Sequence, residues 1–157
     1  MEISNYIKKE LIKLNLPCKS RNEMFQMMHQ EAYKYGYVEE DFLEGLLSRE
    51  EVFPTGIKLS NYSVAIPHTE AEYVKNQFIS VVVPENPIRF KQMDDETLET
   101  EVSLIFMLGL NKPHSQLEVL KELMSLIQKE DVVKEIISAK DEEQVKELLT
   151  NITLENV

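Results

Sequence analysis

The sequence predicts one α/β (α+β) domain in which a β-sheet carries helices on both faces. Three observations lead there. Amphipathic helical segments flank the chain, whereas its middle holds short runs rich in Val, Ile and Phe, the pattern of strands buried from two sides. At 157 residues the chain suffices for one substantial core and is short for two, so 1–157, with a core from about residue 5 to 150, is expected to fold as a single unit. A content of 43% hydrophobic and 29% charged residues, with four Gly and six Pro, is that of an ordinary globular domain.

The first expected element is a strand over Glu10 to Leu16, with Ile12, Leu14 and Leu16 on one side of a period-two pattern and Pro17 as its break. Ser20 followed by Glu23 resembles a capping box, and Met24, Phe25, Met28, Ala32 and Tyr35 recur at helical spacing until Gly36 supplies a C-cap. His29 lies inside this helix and is expected to be a packing or surface residue. A second helix is predicted from Glu39 to about Glu51, striped by Phe42, Leu43, Leu46 and Leu47. Arg49 falls in its last turn, where the helix dipole favours a cation whatever else the residue does.

Ser63 to Ile66, Phe78 to Val83 and Val102 to Leu108 read as buried strands. The polar stretch Lys91 to Thr100 is too acidic for a core and is expected as a surface loop with room for one helical turn. Pro113 to Gln128 then places Leu117, Leu120, Leu123, Met124 and Ile127 on one helical face, behind a first-turn proline. Two shorter helices follow, Val132 to Ile137 and Glu142 to Leu149, the last opened by Asp141. Mixed and parallel strand pairing both fit this order.

Composition also excludes. The net charge of −11, from 28 acidic and 17 basic residues, repels phosphate backbones and anionic lipid, so no nucleic acid partner is expected. Cys18 is the only cysteine, which rules out an intrachain disulfide or a thiolate cluster and fits a reducing cytoplasm. Met1 to Lys13 offers neither an apolar h-region nor a small-residue cleavage site. No apolar run approaches the roughly 18 residues of a membrane helix, so service to a membrane transporter would fall to a detachable part. His29, His68 and His114 lack the spacing of a zinc site, and phosphate-loop, nucleophile-elbow and dinucleotide motifs are absent; neither metal nor cofactor is expected.

Two histidines stand at element boundaries. In Ser63-Val-Ala-Ile-Pro-His-Thr69 the β-like run stops at Pro67, whose missing N–H and fixed φ are expected to turn His68 away from the ladder. The imidazole is then either displayed for chemistry at a sheet end or bonded to a carbonyl as a strand cap. His114 follows Pro113 at a predicted helix N-terminus, where free amides and the dipole attract anions and disfavour a protonated ring. It suits a neutral histidine beside a bound phosphate, and equally a first-turn surface residue.

Arg49-Glu-Glu-Val-Phe-Pro-Thr-Gly-Ile57, followed by Val64-Ala-Ile-Pro-His-Thr69, resembles the signature of the fructose and mannitol superfamily of phosphotransferase-system (PTS) IIA domains. The likeness extends from about Glu23 to Leu149, and the Phe-Pro-Thr-Gly-Ile wording and the acidic insert around Phe90 to Glu101 look most like the galactitol type. The resemblance implies a mixed sheet flanked by helices, of the phosphotransferase/anion-transporter kind. It implies a cytoplasmic phosphotransferase that takes a phosphoryl group from the histidine phosphocarrier protein and passes it to a cysteine of a IIB partner, serving a IIC permease indirectly. Carried over by position, His68 is the nucleophile, Arg49 the cation at the phosphate, Thr55 a nearby hydroxyl and His114 a second, assisting histidine. Arg49 suits its role because a guanidinium offers two parallel hydrogen bonds to phosphoryl oxygens; a salt bridge to Glu50 or Glu51 is the structural alternative. A hexitol, galactitol foremost, is the expected sugar, with a regulatory protein controlled by His68 phosphorylation, or a fructose/mannitol-type transport IIA, as the other outcomes. One core accounts for the apolar helix faces, so a monomer is expected.

Overall fold

The computed structural model describes residues 3–155; the ends of the expected 1–157 domain, residues 1–2 and 156–157, lie outside them. In chain order the elements are β1 (Ile7–Leu16), α1 (Arg21–Lys34), α2 (Phe42–Val52), β2 (Gly56–Lys58), β3 (Ser63–Ala65), β4 (Phe78–Pro84), β5 (Ile88–Lys91), β6 (Glu99–Val102), β7 (Leu104–Gly109), α3 (Pro113–Leu126), α4 (Glu130–Ile137) and α5 (Glu142–Glu155). Five strands form one sheet in the order β1-β4-β7-β3-β2. Pairing is parallel for β1/β4 and β3/β7 and antiparallel for β4/β7 and β2/β3, so the sheet is mixed, as the family resemblance implies.

Each face of the sheet has its own apolar layer. Ile79, Val81, Phe106 and Leu108 pack with Val119 and Leu123 of α3, Val133 of α4 and Val145 of α5. On the other face Leu11, Val82, Ile105 and Met107 meet Phe25 and Met28 of α1, Phe42 and Leu46 of α2, and Phe90 of β5. The sandwich is the expected one, since β4 and β7 are buried along their whole length and need cover on both sides.

Several element boundaries differ from expectation for identifiable reasons. Strand β1 begins three residues early and does not keep its alternation: Ile12 and Leu14 face one layer, Leu16 the other. Asn15 between them has φ of 53°, a left-handed conformation asparagine tolerates, and this reverses the side-chain order. The capping box at α1 is offset. Ser20 Oγ accepts from the Glu23 N–H at 3.1 Å, but the Glu23 carboxylate accepts from Lys19 N at 2.9 Å, one residue further out. Gly36, at φ 81°, follows the helix where a left-handed residue is needed.

The expected strand Val102 to Leu108 is two strands in two sheets. The chain changes sheet at Ser103, whose N–H donates to the Ser63 carbonyl, and a single serine in an otherwise apolar run is a weak mark of that change. The acidic stretch Lys91 to Thr100 is a loop over residues 92–98, as expected though without the helical turn, and its ends belong to a hairpin, β5 paired antiparallel with β6. Ile88, Phe90, Thr100 and Val102 point inward from it and their charged neighbours outward. In α3 the expected face is rotated. Val119, Leu123 and Leu126 are buried while Leu117 is 60% exposed and Met124 39%, because two parallel stripes satisfy the helical period and only contact with the sheet chooses between them. At α5, Asp141 accepts from the Gln144 N–H at 2.9 Å as the predicted N-cap, and the helix continues past Leu149 to Glu155. Among the described residues no helix is long and apolar enough to cross a membrane.

Candidate functional site

His68 lies past the end of β3, still alongside β7. The Pro67 carbonyl accepts from the Leu108 N–H at 2.9 Å, and His68 bridges to Leu108. The expectation that Pro67 turns the next residue off the ladder is therefore corrected: proline loses its own N–H, and its carbonyl still pairs. The imidazole folds back until Nδ1 is 2.9 Å from the Ile66 carbonyl oxygen. A carbonyl accepts and cannot donate, so Nδ1 carries the hydrogen and Nε2 keeps its lone pair. The carbonyl-bonded cap posed by the sequence forms through Nδ1, and it does not use Nε2.

Burial is the main cause that holds His68 below the usual imidazole range; the Ile66 carbonyl opposes it, the Arg49 cation reinforces it and Glu70 opposes it. The ring is accordingly neutral at pH 7, the state in which a nitrogen lone pair attacks.

Arg49 reaches this region from the last turn of α2. Its guanidinium carbon stands 5.2 Å from the centre of the Phe53 ring, and Nη1 is 3.6 Å from Glu70 Oε1, a loose contact with a half-exposed carboxylate. Its Nε is buried and has no hydrogen-bond partner among the described residues. The salt bridge considered from sequence, to Glu50 or Glu51, does not form: Glu51 pairs instead with Arg21 at 3.2 Å. A buried, unpartnered N–H on a cation is costly to leave unsatisfied, and an anion is the partner that would satisfy it best.

Thr55 is buried, and its hydroxyl is already engaged. Oγ1 donates across the two oxygens of Glu50 at 3.0 and 3.1 Å, and the Thr55 N–H donates to Glu50 Oε2 at 2.7 Å. Glu50 itself is 2% exposed. Burial pushes its carboxyl from an ordinary 4.5 up to about 7, against the opposing pull of the Thr55 hydrogen bonds and of Arg21 and Arg49. Sequence reasoning missed Glu50 as a site residue, although a signal existed: it stands four residues past Leu46 and eight past Phe42, on the inward stripe of α2.

His114 is exposed in the first turn of α3, and among the described residues no hydrogen bond or ion pair joins it to His68. Its loop is well anchored nonetheless. The Asn111 N–H donates to Gln77 Oε1 at 3.1 Å, the Asn111 amide donates to the carbonyls of Val74 and Lys75, and Gln77 Nε2 donates to Ser115 Oγ at 3.4 Å. His29 stacks between Tyr33 and Phe42 at centroid distances of 5.9 and 6.0 Å, a packing residue as expected.

The family described as "Phosphoenolpyruvate-dependent sugar phosphotransferase system, EIIA 2" matches residues 5–152. The chain belongs to that family. This EIIA protein is 35% identical over 136 residues to the galactitol-specific EIIA component of Escherichia coli K12, covering 87% of this chain and 89% of the relative. Its fold matches the nitrogen regulatory protein IIA-Ntr of Neisseria meningitidis with a TM-score of 0.77 at 25% identity, over 94% and 98% of the two chains. It also matches the mannitol enzyme IIA solved in complex with phosphorylated enzyme IIB from Escherichia coli, with a TM-score of 0.74 at 23% identity, over 92% and 97%. EIIA components are phosphotransferase relay proteins that work with a IIB partner, and this chain is one of them.

Proposed function

We propose that the EIIA protein accepts a phosphoryl group from the histidine phosphocarrier protein on Nε2 of His68 and hands it to a cysteine of its cognate IIB. The observation that carries this reading is the Nδ1 hydrogen bond to Ile66, which leaves Nε2 as the ring atom with a free lone pair. The donor's N–P bond breaks as the bond from phosphorus to Nε2 forms. In the second transfer that bond breaks as an S–P bond forms on the IIB cysteine, and the Nδ1 hydrogen stays on its carbonyl throughout.

Arg49 acts on the phosphoryl oxygens, exchanging its loose contact with Glu70 for a stronger one and satisfying its Nε. Thr55 supplies a hydroxyl to the same region when Glu50 does not hold it. His114, at the same end of the sheet, plays an accessory part. In-line transfer between two side chains consists mainly of positioning and charge stabilisation.

The protein then serves uptake and phosphorylation of a hexitol through IIB and IIC, with galactitol favoured by the 35% identity to the galactitol-specific relative. It works as a cytoplasmic monomer without a cofactor. A regulatory role is the second reading, favoured by the 25% identity to a nitrogen regulatory protein of the same fold. A relay assay with labelled phosphocarrier protein and the galactitol-type IIB tests both. Label on His68 followed by label on the IIB cysteine is expected; label that stays on His68 with every IIB offered would sink the transport reading and leave the regulatory one.

A further inference from the structure

Glu50 has no part in the phosphoryl transfer as just described, yet it is the most deeply buried carboxylate at the site. Its two oxygens accept both hydrogens that Thr55 can offer, closing the turn from residue 50 to 55. Its immediate neighbour Arg49 is the cation that also acts on His68. The charged groups acting on Glu50 are Arg21 from α1 and Arg49 from α2. Neither forms an ion pair with it among the described residues, since Arg21 is joined to Glu51 and Arg49 to Glu70. Glu50 is thus a buried carboxyl held by neutral donors and by two cations that have other partners.

Resting on the proposed transfer to His68, we propose that Glu50 is a positioning residue that takes up one solvent proton when His68 is phosphorylated and loses it when the phosphoryl group leaves. A phosphoryl dianion on Nε2 draws Arg49 to itself and adds negative charge to a buried neighbourhood. Both effects disfavour the Glu50 carboxylate. Its carboxyl already titrates near neutrality, at about 7, so a small further push changes its occupancy at physiological pH. Once protonated, Glu50 carries a hydrogen of its own, and the Thr55 hydroxyl no longer has to donate to it. That hydroxyl is then free to donate to a phosphoryl oxygen. By linkage, the phosphorylated state is favoured as pH falls through the Glu50 range.

The test compares native protein with Glu50→Gln, which has the shape of the protonated acid and no titration. The equilibrium ratio of phosphorylated to free protein against one phosphocarrier preparation is measured from pH 6 to 8. The native ratio should fall about two- to fivefold more than that of Glu50→Gln over this range, the size expected if phosphorylation raises the Glu50 pKa by about half to one unit. Identical pH dependence in the two proteins overturns the proposal. Carboxyl-carbon NMR of the native protein, labelled at glutamate, provides a readout that does not depend on the variant folding: the Glu50 titration should move to higher pH on phosphorylation, and an unmoved titration overturns the proposal equally. Absence of phosphate on His68 in the native protein would instead overturn the transfer reading, and this inference with it.

Discussion

The loops that present His68 and His114 leave the same end of two parallel neighbours, β3 and β7, yet they treat their imidazoles in opposite ways. His68 is partly buried, its tautomer fixed by the Ile66 carbonyl and its charge suppressed by burial and by Arg49. His114 is exposed, and the hydrogen bonds that fix its loop run through Asn111, Gln77 and Ser115. One loop constrains the ring itself; the other constrains the backbone beneath a free ring. Chemistry that needs a defined nitrogen at a defined protonation state belongs on the first.

Replacing His68 by Ala is the strongest test of this contrast: phosphoryl acceptance, followed by a gel or mass shift, should vanish. Arg49→Lys keeps the charge but loses the planar fork, and should slow acceptance about 10- to 100-fold. The His68 side should also make stability titrate. The Glu50 carboxyl is raised from 4.5 to about 7 on folding, so its contribution is full below about pH 4.5 and is lost as pH rises through about 7. Relative to Glu50→Gln, the native protein should therefore lose up to about 3 kcal/mol of unfolding free energy between pH 5 and pH 8, measured by urea titration. His114→Gln should change the acceptance rate by less than about threefold, as expected for an exposed ring with no hydrogen bond to His68 among the described residues. A loss as large as that of Arg49→Lys would erase the distinction between the loops.

Much of this was legible in the sequence. The helical segments, the buried character of β4 and β7, and the positions of His68 and Arg49 follow from spacing and from the Pro67-His68 and Arg49-Glu50 wording. What spacing could not convey was choice among equivalent patterns. Two stripes on α3 obey the same period, and the sheet selects the one containing Val119. The β1 alternation reverses at Asn15 because of one backbone torsion. The change of sheet at Ser103 is marked by one serine alone, which a single buried strand would also tolerate. Glu50 was hidden by its type: a carboxylate beside an arginine reads as a surface pair until packing places it inside.

Gly56 follows Thr55 in the site's wording, and its conformation would suit any residue. What forbids a side chain there is room: a Cβ would stand 2.7 Å from the Lys91 carbonyl oxygen and 2.9 Å from the Phe90 Cβ. The same glycine's carbonyl accepts from the Met93 N–H at 2.7 Å, so the β5–β6 hairpin rests directly on the strand leaving the site. Of the two letters Thr-Gly, one therefore holds the buried Glu50 carboxyl and the next keeps clearance. A chain that kept Thr55 and His68 but put alanine at position 56 would retain the proposed site residues while prising the hairpin from its seat, and a search by those residues alone would count it wrongly as intact.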